Sequence, residues 1–193
     1  MRTFEVPVGV SNKHLHLSKK DINELFGEGH ELTWKKDLTQ PGQFACEETV
    51  TLIGPKGTLE KIRILGPARG ETQIELALTD AIKLGIKVEA SESGKLENSA
   101  GIGLKSGTKT LNLNSGAIAA ARHIHASEED AKKYGLKDKD IVKVAFNGPR
   151  GGVFNNVVVR VNSAYAWDLH IDTDEANAFD IKNGEIATVI IED

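Results

Sequence analysis

The chain begins in strict alternation. Phe4, Val6, Val8 and Val10 are apolar at every second position, the period of a half-buried strand. This strand runs toward His14 and His16. Residues 21–26 read as a short helix closed by Gly27. From 27 to 47 the pattern has no period, and Gln40-Pro41-Gly42-Gln43 marks a turn, so this span is expected to be an irregular insertion. Residues 49–53 and 58–65 are rich in β-formers and flank Gly54-Pro55-Lys56-Gly57, which predicts a hairpin. Residues 72–78 read as a strand, and Thr79-Asp80 as the cap of a short helix ending at Gly85. Further short strands are expected at 86–90, around Ile102-Gly103-Leu104, and at 108–113.

The second half repeats this grammar. Gly135 to Val144 is a turn leading into a strand, Phe179 to Val189 has a similar form, and a long strand over 153–161 lies between them. Many short strands, 19 glycines and only brief helices predict a mainly β protein made of small closed barrels with short capping helices. Periodicity does not fix the order in which the strands pair.

Composition narrows the class. A chain of 193 residues is one large domain or two small ones. Its net charge of −4 offers no basic field for nucleic acid or for an acidic membrane surface. No apolar run approaches the ~20 residues needed to span a bilayer. The single cysteine, Cys46, rules out a disulfide within the chain and suits a reducing cytosol, so a cytoplasmic protein is expected. Met1 leads directly into the first strand, with no signal peptide or N-terminal targeting extension expected.

The histidines carry the chemistry. Four of the six lie in two copies of one pattern, His14-Leu15-His16-Leu17-Ser18-Lys19-Lys20-Asp21 and His123-Ile124-His125-Ala126-Ser127-Glu128-Glu129-Asp130. On an extended strand, residues i and i+2 share a face, so each pair presents two imidazoles side by side, as a metal ion requires. The Ser-x-x-Asp that follows starts a helix, much as in a capping box. Two copies predict an internal duplication and one site built from both halves. Because the context recurs, metal binding outweighs the alternative of incidental surface histidines.

Other ligands are needed. His170 lies on an apolar, strand-like stretch. Alone it would be a buried structural histidine; beside the other four it reads as a third ligand. Glu75 is a carboxylate in an apolar strand, with an outward-facing strand residue as the alternative. His30, among Glu28, Gly29 and Glu31, reads as a solvated loop residue, and Cys46 as structural. Arg69, in Gly66-Pro67-Ala68-Arg69-Gly70, can grip an anion because its planar fork binds two oxygens at once; an ordinary turn is the alternative. Asn147-Gly148-Pro149-Arg150-Gly151-Gly152 echoes it and reads as a hairpin turn. Lys35, Lys36 and Arg63 add charge that a phosphorylated cofactor could use. Asp172, Asp174 and Glu175 read as a helix start. There is no nucleophile elbow, phosphate-binding P-loop or dinucleotide fingerprint.

These residues together resemble the phosphate acyltransferases also known as phosphate propanoyltransferases. The resemblance rests on Val8-Gly9-Val10-Ser11-Asn12-Lys13-His14-Leu15-His16-Leu17-Ser18, Gly66-Pro67-Ala68-Arg69 with Thr72-Gln73-Ile74-Glu75, Arg122-His123-Ile124-His125, and His170-Ile171-Asp172-Thr173-Asp174-Glu175-Ala176-Asn177-Ala178. It covers essentially the whole chain. It implies the reaction acyl-CoA + phosphate ⇌ acyl phosphate + CoA on a short acyl group such as acetyl or propanoyl. It implies two β-barrels, one from residues 1–12 and 121–193 and one from 13–120, with a dimetal site, usually zinc, between them. One ion would take His14, His16 and Glu75, and the other His123, His125 and His170. Arg69 would hold phosphate and act in catalysis. Ser11, Lys36, Arg63, Leu65 and Asn177 would contact coenzyme A. Two other readings stay open: a dimetal hydrolase of a phosphate ester or thioester, and a non-catalytic zinc-stabilised barrel module. The sequence leaves a homodimer open, as it does the preferred acyl chain.

Overall fold

Fourteen strands and four short helices make up most of residues 1–192, the part of the chain that this computed structural model describes. In order they are β1 (Arg2–Ser11), β2 (His14–His16), α1 (Lys19–Phe26), β3 (Trp34–Asp37), β4 (Phe44–Ile53), β5 (Thr58–Gly66), β6 (Gln73–Glu75), α2 (Leu78–Leu84), β7 (Ala90–Ser91), β8 (Ala100–Ser106), β9 (Lys109–Ala120), β10 (His123–Ala126), α3 (Glu128–Tyr134), β11 (Ile141–Phe146), β12 (Gly152–Val161), β13 (Asp168–Asp172), α4 (Thr173–Phe179) and β14 (Ile186–Ile191). The protein is mainly β, as its alternating pattern requires.

The chain divides into two compact units. The first comprises Met1–Ser11, Thr39–Pro41 and the chain from Ala121 on; the second comprises Asn12–Leu38 and Gly42–Ala120. Each is a closed six-stranded barrel. The first closes in the order β1-β13-β10-β12-β11-β14. The second closes in the order β9-β6-β2-β5-β4-β8, with β3 and β7 added at β4 and β9.

The two rings are copies. Reading around each, the pairings run parallel, antiparallel, parallel, then antiparallel three times. Thus β2 corresponds to β10, β6 to β13, β5 to β12 and β9 to β1. The helices obey the same rule, with α1 and α3 after the histidine strands and α2 and α4 after the strands beside them. This is the internal duplication that the repeated histidine pattern predicts. One strand is displaced in the chain: β1, at the N-terminus, fills in the first ring the place that β9 fills in the second.

Closure follows from burial. The inward residues of each ring alternate along its strands and form one core per unit. In the first unit Val6, Val8, Ile124, Val144, Val157, Val159, Leu169 and Val189 are buried together. In the second, Leu15, Leu17, Leu52, Ile64, Ile74, Leu84 and Leu104 are. Residues 39–41 join the first unit through Gln40, whose amide donates to Ala166 O at 3.0 Å and accepts from Ala166 N at 3.1 Å.

Several local expectations change. The span 27–47 is not wholly irregular: β3 pairs antiparallel with the first residues of β4, which begins at Phe44 rather than 49. β6 covers only Gln73–Glu75 of the expected 72–78. α2 starts after Ala77, with no side-chain cap, so Thr79 lies inside the helix. Residues 86–89 form no ladder, and β7 is confined to Ala90–Ser91. The strand expected at 108–113 continues to Ala120. The turn at 147–151 joins antiparallel β11 and β12, as its glycines predict.

Candidate metal centres

Each histidine strand is brief because a cap stops it. Ser127 accepts from Asp130 N at 3.0 Å, and Asp130 accepts from Ser127 N at 3.1 Å, completing a capping box at the start of α3. In the first copy Ser18 accepts from Asp21 N at 3.1 Å, but the return bond is relayed. Ser18 N donates to Thr72 Oγ1 at 2.9 Å, and the Thr72 hydroxyl donates to Asp21. This relay binds the end of β2 to the residue before β6.

Register then assembles the ligands. In the second unit β2 pairs with β6, placing His14 opposite Glu75 and His16 opposite Gln73. In the first, β10 pairs with β13, placing His123 opposite His170 and His125 opposite Asp168. The duplication therefore makes Glu75 and His170 equivalent positions. The structure brings His14, His16 and Glu75 into one group and His123, His125 and His170 into another, with the ligand atoms of each group within 4.8 Å of one another. His14 Nε2 and Glu75 Oε2 are 3.5 Å apart. Tetrahedral zinc with bonds of about 2.0–2.1 Å puts its ligand atoms roughly 3.3–3.5 Å apart.

The imidazoles are set in the form a metal needs. His14 Nδ1 lies 2.8 Å from Asn12 O, His16 Nδ1 lies 3.1 Å from Leu65 O, and His123 Nδ1 lies 2.8 Å from Ala121 O. A carbonyl only accepts, so each Nδ1 carries the proton and each Nε2 keeps its lone pair. For His170 the partner is a carboxylate: Nε2 lies 3.1 Å from Asp168 Oδ2. Burial, then the positive charge of Arg69, lower the His16 pKa from 6.5 to about 3, so its ring is neutral at physiological pH. On donor type and spacing both groups fit a divalent ion, and four of the five rings are held in a ligating tautomer.

Arg69 reaches this neighbourhood along the chain from β5. Its backbone N donates to Leu17 O at 2.9 Å, and its Nη1 lies 3.4 Å from Ser93 Oγ. The Ser93 hydroxyl also accepts from Gln73 Nε2 at 2.7 Å. Sequence reasoning missed Gln73, Ser93 and Asp168. For Gln73 and Asp168 a faint signal is the spacing, since Gln73-x-Glu75 and Asp168-x-His170 repeat the two-residue step of the histidine pairs; Ser93 carries no such signal.

The other expected residues scatter. Arg63 is opposite His14 on β5, with Nη1 donating to Cys46 O at 2.7 Å and to Glu47 O at 2.8 Å. Leu65 is half-buried on the same strand and supplies the carbonyl that holds His16. Lys36 is exposed on β3, Ser11 ends β1, and Asn177 is exposed on α4. Lys35 is paired with Glu47 at 2.6 Å. His30 is not simply solvated: it meets Glu48 at 2.9 Å and stacks on Phe26. Cys46 is buried, and its thiol is pushed up to about 11, so it is a poor nucleophile. Asp172 and Glu175 form the capping box of α4, and Glu175 also binds Arg122 at 3.1 Å.

The fold and the site together define a class: a duplicated β-barrel protein with a candidate metal centre in each copy. Residues 7–182 match the family model described as phosphate propanoyltransferase. Proteins carrying that name are similar across nearly the whole chain. The one from Thermotoga maritima is 49% identical over 184 residues, covering 95% of this chain and 88% of its own. The one from Rhodobacter capsulatus is 50% identical over 184 residues, covering 95% and 86%. The one from Lachnoclostridium phytofermentans is 50% identical over 188 residues, covering 97% and 88%. The chain belongs to the phosphate propanoyltransferase family, and it is an enzyme of the acyltransferase class. No helix among the described residues is long and apolar enough to cross a membrane.

Proposed function

We propose that this chain transfers a short acyl group, acetyl or propanoyl, between coenzyme A and phosphate, with two divalent ions, zinc by preference, as resident cofactors. The observation that carries this reading is the pair of ligand groups, His14/His16/Glu75 and His123/His125/His170, at equivalent positions of the duplicated barrel. When bound, such ions supply Lewis acidity at the thioester carbonyl and a soft partner for the thiolate of coenzyme A.

The chain's own residues account for the rest. Phosphate is a poor nucleophile in water because it is heavily solvated. The Arg69 guanidinium can take two of its oxygens at once, which orients a remaining oxygen toward the carbonyl and offsets the charge. The phosphate oxygen then forms a bond to the carbonyl carbon, the C–S bond breaks, and coenzyme A leaves as thiolate. Nothing in this scheme calls for a protein nucleophile, and the buried, high-pKa Cys46 thiol is unsuited to that role. In the second unit Lys36, Arg63 and Leu65 are proposed contacts for coenzyme A. In the first unit Ser11 and Asn177 are. Arg63 retains guanidinium donors beyond the Nη1 that holds Cys46 and Glu47.

The test is release of coenzyme A from acetyl-, propanoyl- and butanoyl-CoA, with and without phosphate, on protein of measured metal content. Phosphate-dependent release by protein holding about two divalent ions per chain is expected. Release that ignores phosphate points to a hydrolase, and full activity in metal-free protein overturns the dimetal mechanism.

A further inference from the structure

Gln73 and Asp168 occupy equivalent places in the duplication. Each sits two residues before a third ligand and opposite the second histidine of its pair. Both are buried, at 2% and 5% exposure. Neither belongs to a ligand group. A buried amide and a buried carboxylate are costly unless satisfied, so what they touch explains why they are there.

Gln73 is held rigidly. Its Oε1 accepts from Gly94 N at 2.7 Å, and its Nε2 donates to Ser93 Oγ at 2.7 Å. This fixes which end of the amide is which. The Nε2 also donates to Glu75 Oε1 at 2.6 Å, leaving Oε2 as the oxygen near His14. Asp168 is held by Thr39, whose Oγ1 donates to Oδ2 at 3.1 Å. The same Oδ2 lies 3.1 Å from His170 Nε2, which fixes that ring with Nδ1 carrying the lone pair. Gly9 leaves room for the pair: a Cβ there would stand 3.0 Å from Asp168 Oδ2 and 3.1 Å from His170 Cδ2.

We propose that the third ligand and the residue two places before it act as a matched pair in each unit, with Gln73 positioning Glu75 and Asp168 positioning His170. The chemistry is complementary. A carboxylate ligand only accepts, so its partner must be a donor. An imidazole ligand keeps an N–H, so its partner must be an acceptor. Each pair also carries one negative charge, on Glu75 in one and on Asp168 in the other. The two ions would therefore meet equal pair charge despite different ligands. This inference rests on the metal reading above. It treats Gln73 and Asp168 as positioning residues, because each acts through its neighbour.

The test measures Zn²⁺ affinity by chelator competition and the visible spectrum of Co²⁺-loaded protein, alongside a thermal melt of metal-free protein. Gln73→Glu sets a carboxylate against Glu75 and should weaken one of two ions by about 10–100-fold and shift part of the cobalt spectrum. The metal-free melt shows whether the variant still folds, since a second carboxylate at this buried position is itself costly. Glu75→His alone should likewise weaken that ion. Combining Gln73→Asp with Glu75→His rebuilds the other unit's pair and should recover affinity to within about tenfold of wild type. If Gln73→Glu does not fold, Asp168→Asn tests the same idea at His170. Wild-type affinity and spectrum in every single variant, or a double variant no better than Glu75→His alone, overturns the matched pair and leaves the acyltransferase reading standing. Wild-type protein that binds no metal overturns both the matched pair and the dimetal mechanism.

Discussion

Replacing Glu75 with glutamine keeps its shape and removes one charge. In the native protein Oε1 accepts from Gln73 Nε2 at 2.6 Å, and Oε2 faces His14 Nε2 at 3.5 Å. An amide has one accepting end, so it can serve only one side. If its NH₂ faces Gln73, donor meets donor and the 2.6 Å bond is lost. If it faces His14, a donor replaces the lone pair that an ion would use. Either orientation forfeits an interaction, and the neutral oxygen is a weaker ligand than a carboxylate. Loss of about 100-fold in affinity for that ion is expected, at the upper end of what disturbed ligand support costs. That corresponds to about 3 kcal/mol. Acyl transfer should fall by at least ~100-fold for the same reason, while the His123/His125/His170 group keeps its ion. Metal analysis, CoA release and a thermal melt on the same preparation decide the matter. A Glu75→Gln protein that holds both ions and turns over normally makes Glu75 an ordinary strand residue.

Three further outcomes are expected. Arg69→Ala should impair phosphate use more than CoA binding, by about 2–4 kcal/mol in the transition state, as for loss of one anion-stabilising donor; kinetics with both substrates varied will show whether phosphate dependence changes. Metal-free protein should lose stability as pH falls. Folded His16 resists protonation until about pH 3, whereas an unfolded histidine takes a proton near 6.5. The unfolded state therefore binds more protons between those values, and this residue alone can remove up to about 5 kcal/mol across that window. Denaturant melts at pH 7 and pH 4 test it, and equal stability at both refutes it. Ser127→Ala removes the acceptor for Asp130 N and should cost about 1 kcal/mol, visible as a lowered melting temperature.

The sequence foretold most of what is governed by short-range pattern. Alternation at Phe4–Val10 marks β1, and Ser127 and Asp130 mark the start of α3. The strand β3 left no trace because Trp34, Lys35, Lys36 and Asp37 are all exposed and have no buried face to create a period. Ile86 packs against the core without joining a ladder, so its apolar character suggested a strand that is not there. At the site, the residues that the structure groups were legible from their own ligand chemistry: five histidines and Glu75. Gln73, Ser93 and Asp168 were not. Their roles come from partners that only long-range pairing supplies, such as Thr39 beside Asp168 across 129 positions.

The displaced strand has a consequence for how the molecule is made. Every strand of the second ring lies between His14 and Ala120, so that ring can close while the ribosome is still extending the chain. The first ring must wait. Its strand β1 is synthesised well before its partners, for it pairs with β13 and with β14, where Arg2 faces Ile191. Through most of synthesis β1 is a valine-rich segment with both edges unpaired, the kind of segment that recruits the wrong neighbour. Aggregation during expression should therefore begin at this strand. A version that carries β1 after β14, joined by a short turn as β8 is joined to β9, should escape it.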